Sequence, residues 1–412
     1  MEKLAINGGP KTKTTPFGTG RRFGEEEKKQ VLEVLESDVL FYVFGTKVKQ
    51  MESMMKSMYG VRFASGCSSG TAAVHIALGA LAVEPGKEVI TSAVTDMGTM
   101  TGILYQLLVP RFADIDPETY NMDPRSAEKL INRKTGAIVV VHHAGVPADI
   151  EAFVALGRKH GIPVIEDCAQ AHFTRLKGRL LGTFGDISAW SFNHFKHITT
   201  GSGGAVLTDR ADIEERVRLF IDKCYFRDGR KRNPYFLAPN YQMTELQGAV
   251  AVGQLGKVER IVGTRRKRGA RLIDGLRQVP GIIPQRVPDG GEHSFFLFVV
   301  RVDPAVIPAP VEDICRALEA EGIPCEPHKI TGGMPVYLYD VFQNRSAFPN
   351  SMLPFVSKDL DSDAVYPRGL CPVAEDAFAH TFNLSINEFY TEDDVDDMVR
   401  GIAKVADHFR GR

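Results

Sequence analysis

The segment from Trp190 to Gly204, W-S-F-N-H-F-K-H-I-T-T-G-S-G-G, sets one lysine, Lys196, between an aromatic-rich run and a run of Gly, Ser and Thr. Upstream lies Ile165-Glu166-Asp167-Cys168-Ala169-Gln170-Ala171, a short apolar strand that closes on a carboxylate. A lysine amine can hold an aldehyde as a Schiff base, and a buried carboxylate can keep a pyridine nitrogen protonated so that the ring draws electrons. Those are the two groups that pyridoxal 5'-phosphate (PLP) chemistry requires. Each residue alone has a plainer explanation, since most lysines are solvated and Asp is a common helix N-cap. The pairing favours the cofactor, and the small residues Ser191, Thr199, Thr200, Gly201, Ser202, Gly203 and Gly204 would let a flat ring approach closely.

A third feature is Ser68-Ser69-Gly70-Thr71-Ala72-Ala73. A Ser/Gly/Thr turn that opens a helix offers free backbone N–H groups and the positive end of the helix dipole, which suits a phosphate; a simply capped helix start fits those residues equally well. His142, His143, His194 and His197 are further candidates for acid–base work, and the last two flank Lys196. Arg265-Arg266-Lys267-Arg268 reads as a solvated helix face, and Glu392-Asp393-Asp394 as the acidic first turn of a last helix.

Elements that alternate between strand and helix must position these residues. From Val48 onward the periodicity predicts helices over Lys49 to Tyr59, Gly70 to Leu81, Thr99 to Leu107, Pro124 to Ile131 and Asp149 to His160. Between them it predicts strands ending near Ala64 and over Glu88 to Thr91, Pro110 to Asp114, Gly136 to His142, Pro163 to Asp167, Asp186 to Phe192 and Gly204 to Thr208. The Gly136 to His142 run is continuously apolar, as in a strand covered on both faces. The pattern predicts an α/β large domain with a mostly parallel sheet between helices, and ligands in such sheets gather at the carboxyl ends of the strands. Ahead of it, residues 1–20 look like an extended arm, followed by a helix over Glu25 to Glu36. Beyond about residue 245 a long helical stretch runs toward Leu276, then a strand over Phe295 to Val302 and helices over Pro310 to Glu321 and Thr391 to Phe409. These form a smaller C-terminal α+β domain. The division is an arm (1–20), a large domain (21–255) and a small domain (256–412), consistent with a 412-residue chain too long for one ordinary core.

Composition narrows the function. Fifty Lys and Arg balance 51 Asp and Glu for a net charge of −1, so charge supports neither nucleic acid nor a membrane surface as partner. The six cysteines are widely spread, with no CxxC pair and no metal-like cluster, which points to reduced thiols in a cytoplasmic protein and no metal site. The amino terminus lacks the apolar core of a signal peptide, and no apolar run is long enough to span a bilayer.

Taken in order, these motifs resemble the DegT/DnrJ/EryC1/StrS family of PLP-dependent sugar aminotransferases, of aspartate-aminotransferase fold type I. The resemblance spans nearly the whole chain. It runs from the Leu4 to Pro10 opening through Ser69 to Thr71, Phe112-Ala113-Asp114-Ile115-Asp116 with Tyr120-Asn121, and His142 with Gly145. It continues through Glu166-Asp167 with Gln170, Lys177-Gly178-Arg179, Asn240-Tyr241-Gln242-Met243-Thr244-Glu245-Leu246-Gln247, Cys371-Pro372 with Glu375, and the Asn387 to Val395 tail. It implies that Lys196 is the Schiff-base lysine and proton shuttle, that Asp167 pairs with the pyridine nitrogen, and that Gln170 lies near the ring and its hydroxyl. It implies that Gly70, Thr71 and Ser191 hold the phosphate, and that Asn240 reaches the phosphate of a neighbouring subunit in a homodimer with shared active sites. The implied reaction moves an amino group from glutamate or glutamine to a keto-sugar, nucleotide-linked, or to a related cyclitol ketone. The alternatives are a dehydratase or an aromatising amino-cyclitol enzyme of the same fold, and a PLP-binding sensory protein without turnover. Three positions depart from the family pattern: Asp96 stands where an aromatic residue usually covers the ring, with Met97 beside it, Ser202 stands for a Glu, and Gln242 for an Arg.

Overall fold

The computed structural model describes residues 2–327 and 332–411. Its centre is a seven-stranded sheet whose strands are β1 (Phe63–Cys67), β2 (Glu88–Ser92), β3 (Val109–Ala113), β4 (Thr135–Val141), β5 (Val164–Asp167), β6 (Ile187–Ser191) and β7 (Gly204–Thr208). Their spatial order is β1-β7-β6-β5-β4-β2-β3. Neighbours from β6 to β3 pair in parallel, and β7 is antiparallel to both β6 and β1. Six strands therefore point one way, and the ends at Cys67, Ser92, Val141, Asp167 and Ser191 share one edge. The Ile138–Val141 run is buried throughout, the signature of a strand with helices on both faces.

Between the strands run α3 (Gly70–Ala80), α4 (Met97–Tyr105), α5 (Pro124–Leu130) and α6 (Ile150–His160), preceded by α1 (Glu25–Glu36) and α2 (Lys47–Tyr59) and followed by α7 (Ala211–Ile221). Helix α3 is rich in alanine and glycine; its small side chains let it lie close against β6, β7, α4 and α7. The expected helix boundaries here hold to within about two residues, the usual ambiguity of helix ends, while the strand expected to end near Ala64 runs on to Cys67. The start of α2 has a cause far away in sequence. The carboxylate of Glu245 accepts hydrogen bonds from the backbone amides of Thr46 (2.8 Å), Lys47 (2.6 Å) and Val48 (3.1 Å), so the helix opens two residues earlier than its own periodicity predicts.

The long helical stretch after residue 245 is two helices, α8 (Glu245–Leu255) and α9 (Val258–Leu276), separated at Gly256-Lys257. A second sheet, β8 (Ile282–Pro284), β9 (Phe298–Val302), β10 (Cys325–Pro327) and β11 (Thr381–Leu384), has the order β8-β9-β11-β10 and is antiparallel. It packs with α10 (Val311–Ala320) and α12 (Glu392–Arg410) around its own core of Leu272, Phe298, Leu318, Phe382 and Val405. The helix α11 (Pro372–His380) and the segment holding Val336, Phe342, Phe355 and Tyr366 instead pack on the core of the large sheet. The N-terminal arm lies against the C-terminal part rather than reaching away. Leu4 sits in the second core, Glu321 accepts from the amides of Ala5 and Thr12, and Lys13 pairs with Asp394 (2.7 Å) and Asp397 (3.1 Å).

Candidate active site

Strand β5 carries Asp167 to the carboxyl edge, where the side chain is 5% exposed. One oxygen accepts from the Thr99 hydroxyl at 2.8 Å and the other from the Ala169 amide at 3.1 Å. Among the described residues no cation pairs directly with it. Burial therefore raises its pKa, against those two hydrogen bonds and the charge of Lys196. The adjacent Glu166 points to the opposite face. There it accepts from the amides of Gly182, Phe184 and Gly185 and meets His142 Nε2 at 3.1 Å, and these contacts outweigh burial and hold its pKa low. With Cys168 these two residues form a buried cluster of possible metal-binding atoms, yet every lone pair of Glu166 that faces inward already serves a backbone amide or His142. The cluster anchors β5 behind Asp167.

Lys196 rides on the turn between β6 and β7. Phe192 and Gly203 bond across its base (2.8 Å), and Thr200 N donates to Phe192 O (3.0 Å). Arg22 grips the turn from outside: its guanidinium donates to the carbonyls of His194, Lys196 and His197. Lys196 Nζ sits 4.3 Å from the centroid of the Phe296 ring. Burial lowers its pKa, against the opposing charges of Asp167 and Asp96, so the amine reaches its neutral, nucleophilic form more readily than a solvated lysine. His197 does not face the site opening; it is buried beneath the turn and its Nε2 lies 3.0 Å from Ser294 O, whereas His194 is exposed.

The turn into α3 closes the third side. Ser69 caps the helix, with its Oγ accepting from Ala72 N (3.0 Å) and its carbonyl from Ala73 N (3.0 Å). The amides of Gly70 and Thr71 stay at the mouth. Gly70 lies so near β6 that a Cβ there would be 2.5 Å from the Cβ of Ser191. Gln170 is buried and its Oε1 accepts from Ala144 N (2.7 Å). The structure thus brings Lys196, Asp167, Gly70, Thr71, Gln170 and Ser191 to one edge of the sheet. Asn240 is set apart: it is exposed, its side-chain Oδ1 accepts from Gln242 N (3.4 Å), and isolated bridges tie Asn240 to Asp222 and Gln242 to Cys67 of β1. Asp96, at the position of the missing aromatic, is the N-cap of α4 and accepts from Gly98 N at 2.7 Å while its charge acts on Lys196 and Asp167.

The family model for the DegT/DnrJ/EryC1/StrS aminotransferases matches residues 21–403. The chain belongs to the DegT/DnrJ/EryC1/StrS aminotransferase family. It is 32% identical over 397 residues to the spore coat polysaccharide biosynthesis protein SpsC of Bacillus subtilis, covering 93% of this chain and 96% of that one. It is 34% identical over 335 residues, 79% of each chain, to a Streptoalloteichus tenebrarius protein with the provisional name L-glutamine:3-amino-2,3-dideoxy-scyllo-inosose aminotransferase. The solved structure of an aminotransferase from Psychrobacter cryohalolentis superposes with a TM-score of 0.82 at 27% identity, covering 96% of this chain and all of that one.

This aminotransferase is PLP-dependent, and the residues at the edge fit the cofactor. A buried carboxylate without a cation suits a protonated pyridine nitrogen, and a helix mouth with two amides to spare suits a phosphate. Bound there, PLP supplies an electron sink for proton loss beside a substrate nitrogen. Asp167 would hold the ring nitrogen, Gly70, Thr71 and Ser191 the phosphate, and Lys196 the aldehyde carbon. Thr99 and the Ala169 amide hold Asp167, and Arg22 fixes the lysine turn. Sequence inspection did not find Arg22, Thr99 or Phe296. Arg22 bonds only to carbonyls, which carry no residue identity, and Phe296 lies on a segment whose place above the lysine follows from the fold alone.

Proposed function

We propose that the enzyme transfers an amino group from glutamate or glutamine to a ketone carbon of a sugar, nucleotide-linked, or of a related cyclitol. The observation that carries the chemistry is the pairing of a buried carboxylate without a cation, Asp167, with a lysine whose burial favours its neutral amine, Lys196. Lys196 moves a proton in each half of the exchange, first away from the donor and then onto the aminated product. The substrate class is supported by the 3-amino-2,3-dideoxy-scyllo-inosose aminotransferase name of one relative and the polysaccharide-biosynthesis name of another. A homodimer with shared sites belongs to this proposal, supported by the exposed Asn240 and by Phe195, which is 76% exposed beside Lys196. So does a cytoplasmic location, supported by six buried, unpaired cysteines; among the described residues no helix is long and apolar enough to cross a membrane.

The test is the visible absorption of the PLP-loaded protein during titration with L-glutamate and with L-glutamine. One donor should bleach the band, and adding a cyclitol ketone, 3-amino-2,3-dideoxy-scyllo-inosose, should restore it. A loaded protein that neither donor bleaches would show that the proposed amino transfer is wrong.

A further inference from the structure

We propose that Asp96 determines acceptor specificity in this active site: its carboxylate binds an ammonium group on the acceptor, so the ketone aminated here already bears an amine. This narrows the acceptor class within the amino-transfer function proposed above and rests on that function.

Asp96 lies in the loop that leaves the carboxyl edge of β2 at Ser92 and opens α4 at Met97. Its contacts place it at the cofactor site. The Asp96 carbonyl accepts from Thr99 N (3.1 Å), and the hydroxyl of the same Thr99 donates to Asp167 at 2.8 Å. Asp96 Oδ1 accepts from Gly98 N at 2.7 Å. A methyl group on Gly98 would stand 2.9 Å from Asp96 Oδ1 and 2.9 Å from Thr71 Oγ1, so the carboxylate and the hydroxyl flank one glycine. Asp96 is thereby held between Thr71, at the helix mouth that suits the phosphate, and Asp167. Unlike Asp167 it is exposed. Among the described residues no cation pairs with it, and its second oxygen has no hydrogen-bond partner.

Capping α4 explains the side chain but not its charge. Asn and Ser cap helices as well as Asp does, and α3 opens beside it on Ser69. The charge also has a cost: beyond the effect of burial, it opposes ionisation of the very carboxylate that suits the ring nitrogen. A phosphate at Gly70 and Thr71 adds more anionic charge to the same edge. Against these anions the described side chains set the amine of Lys196, whose pKa burial lowers and both carboxylates raise. A cation bound at Asp96 offsets this accumulation of negative charge, and a neutral hydroxyl there does not.

The chemistry of the position selects the cation. A metal ion takes several oxygen ligands, and one solvent-facing carboxylate oxygen is too few. An ammonium group needs a single charge-assisted hydrogen bond from the protein and meets water with its other N–H groups. The donor's own amine does not serve, because it passes to the cofactor carbon beside Lys196. The amine at Asp96 is therefore a second one, carried by the acceptor whose ketone carbon lies at Lys196.

The experiment uses PLP-loaded wild type and Asp96→Asn, which keeps the helix cap and removes the charge, with Asp96→Ser as a second variant of the same kind. Two acceptors are compared: 3-amino-2,3-dideoxy-scyllo-inosose and the same ketone with a hydroxyl in place of its amine. Steady-state kcat and KM are measured for each with the donor that bleaches the band. Wild type should favour the amine-bearing ketone. Asp96→Asn should lower kcat/KM for that ketone about tenfold, chiefly through KM, and change the hydroxyl ketone by less than about twofold. An unchanged ratio between the two acceptors would overturn the proposal and leave Asp96 as a helix cap. An equal loss with both would also overturn it, since Asp96 would then act on the cofactor alone. If no donor bleaches wild type, or neither ketone is aminated, the amino-transfer function or its acceptor class fails separately, and binding decides for Asp96. Inositol with one hydroxyl replaced by an amine should then bind PLP-loaded wild type more tightly than inositol itself, measured by calorimetry, and Asp96→Asn should lose that preference. Equal binding of the two by wild type would sink the proposal.

Discussion

At the scale of single residues, the site is built from groups held in states that water would not favour. Asp167 carries a charge at 5% exposure with only a hydroxyl and an amide for company, and burial raises its pKa. An apo-enzyme keeping such a group for a cofactor should give up stability to do so. Asp167→Asn is therefore expected to raise the melting temperature of the apo-protein by a few degrees, since the Thr99 hydroxyl can turn from donor to acceptor and meet the new NH₂. The same change should lower kcat by about 10²-fold or more, because a neutral amide cannot hold the ring nitrogen protonated. Calorimetry and steady-state rates on one preparation check both halves; a variant less stable than wild type would mean that Asp167 is a structural anchor. Lys196→Ala should be inactive at any PLP concentration. Its depressed pKa also sets the pH course of cofactor capture. The neutral amine is the reactive form, so capture by apo-enzyme should quicken with rising pH and level off below the 10.5 of an ordinary lysine. A rate that keeps climbing past that point would show that the amine is solvated.

At the scale of elements, the close fit of α3 against β6 is the critical packing. A methyl group on Gly70 would stand 2.5 Å from Ser191 Cβ and 2.7 Å from Ser191 Oγ, so the helix mouth must move off the strand. Gly70→Ala should cost about 1–3 kcal/mol by overpacking, even though alanine favours helix more than glycine. PLP affinity should fall about tenfold or more as the two amides leave their place, measured by equilibrium titration beside a denaturant melt. Elements of this kind were legible in the sequence because each announces itself locally. Continuous apolar residues give β4, alternating small residues give α3, and Asp167, Lys196 and Ser69 to Thr71 fall at strand ends once the βα alternation is seen. What stayed hidden depends on contacts across the chain. Glu245 caps α2 from about 200 positions away, and Arg22 holds the lysine turn through carbonyls alone. Gly256-Lys257 divides two helices inside a stretch whose periodicity never breaks. The partnership of His142 with Glu166 needed β4 and β5 side by side, which only the folded sheet provides.

At the scale of the whole molecule, two long-range arrangements invite tests. The first ties the two ends of the chain. Lys13, Asp394 and Asp397 form a buried cluster, in which burial would raise the Asp394 carboxyl but Lys13 and the amides of Thr391 and Gly18 hold it down to about 2. A carboxylate depressed in the fold stabilises it fully above its unfolded pKa of about 4 and loses that contribution as pH falls through the folded value. Urea midpoints should therefore drop between pH 4 and pH 2 by an amount worth on the order of 1 kcal/mol, and Asp394→Asn should flatten that part of the curve. The second arrangement is the placement of Asn240, exposed and apart from the residues that share the sheet edge. If it completes the phosphate site of a partner subunit, each active site draws Lys196 from one protomer and Asn240 from the other. Mixing Lys196→Ala with Asn240→Ala then yields hybrid dimers in which one site holds both defects and the other holds neither. Half the dimers of an equal, exchanged mixture are hybrids, so activity should recover to about a quarter of wild type from two parents that are each nearly inactive. Were Asn240 to serve its own chain, both sites of every hybrid would be defective and mixing would restore nothing.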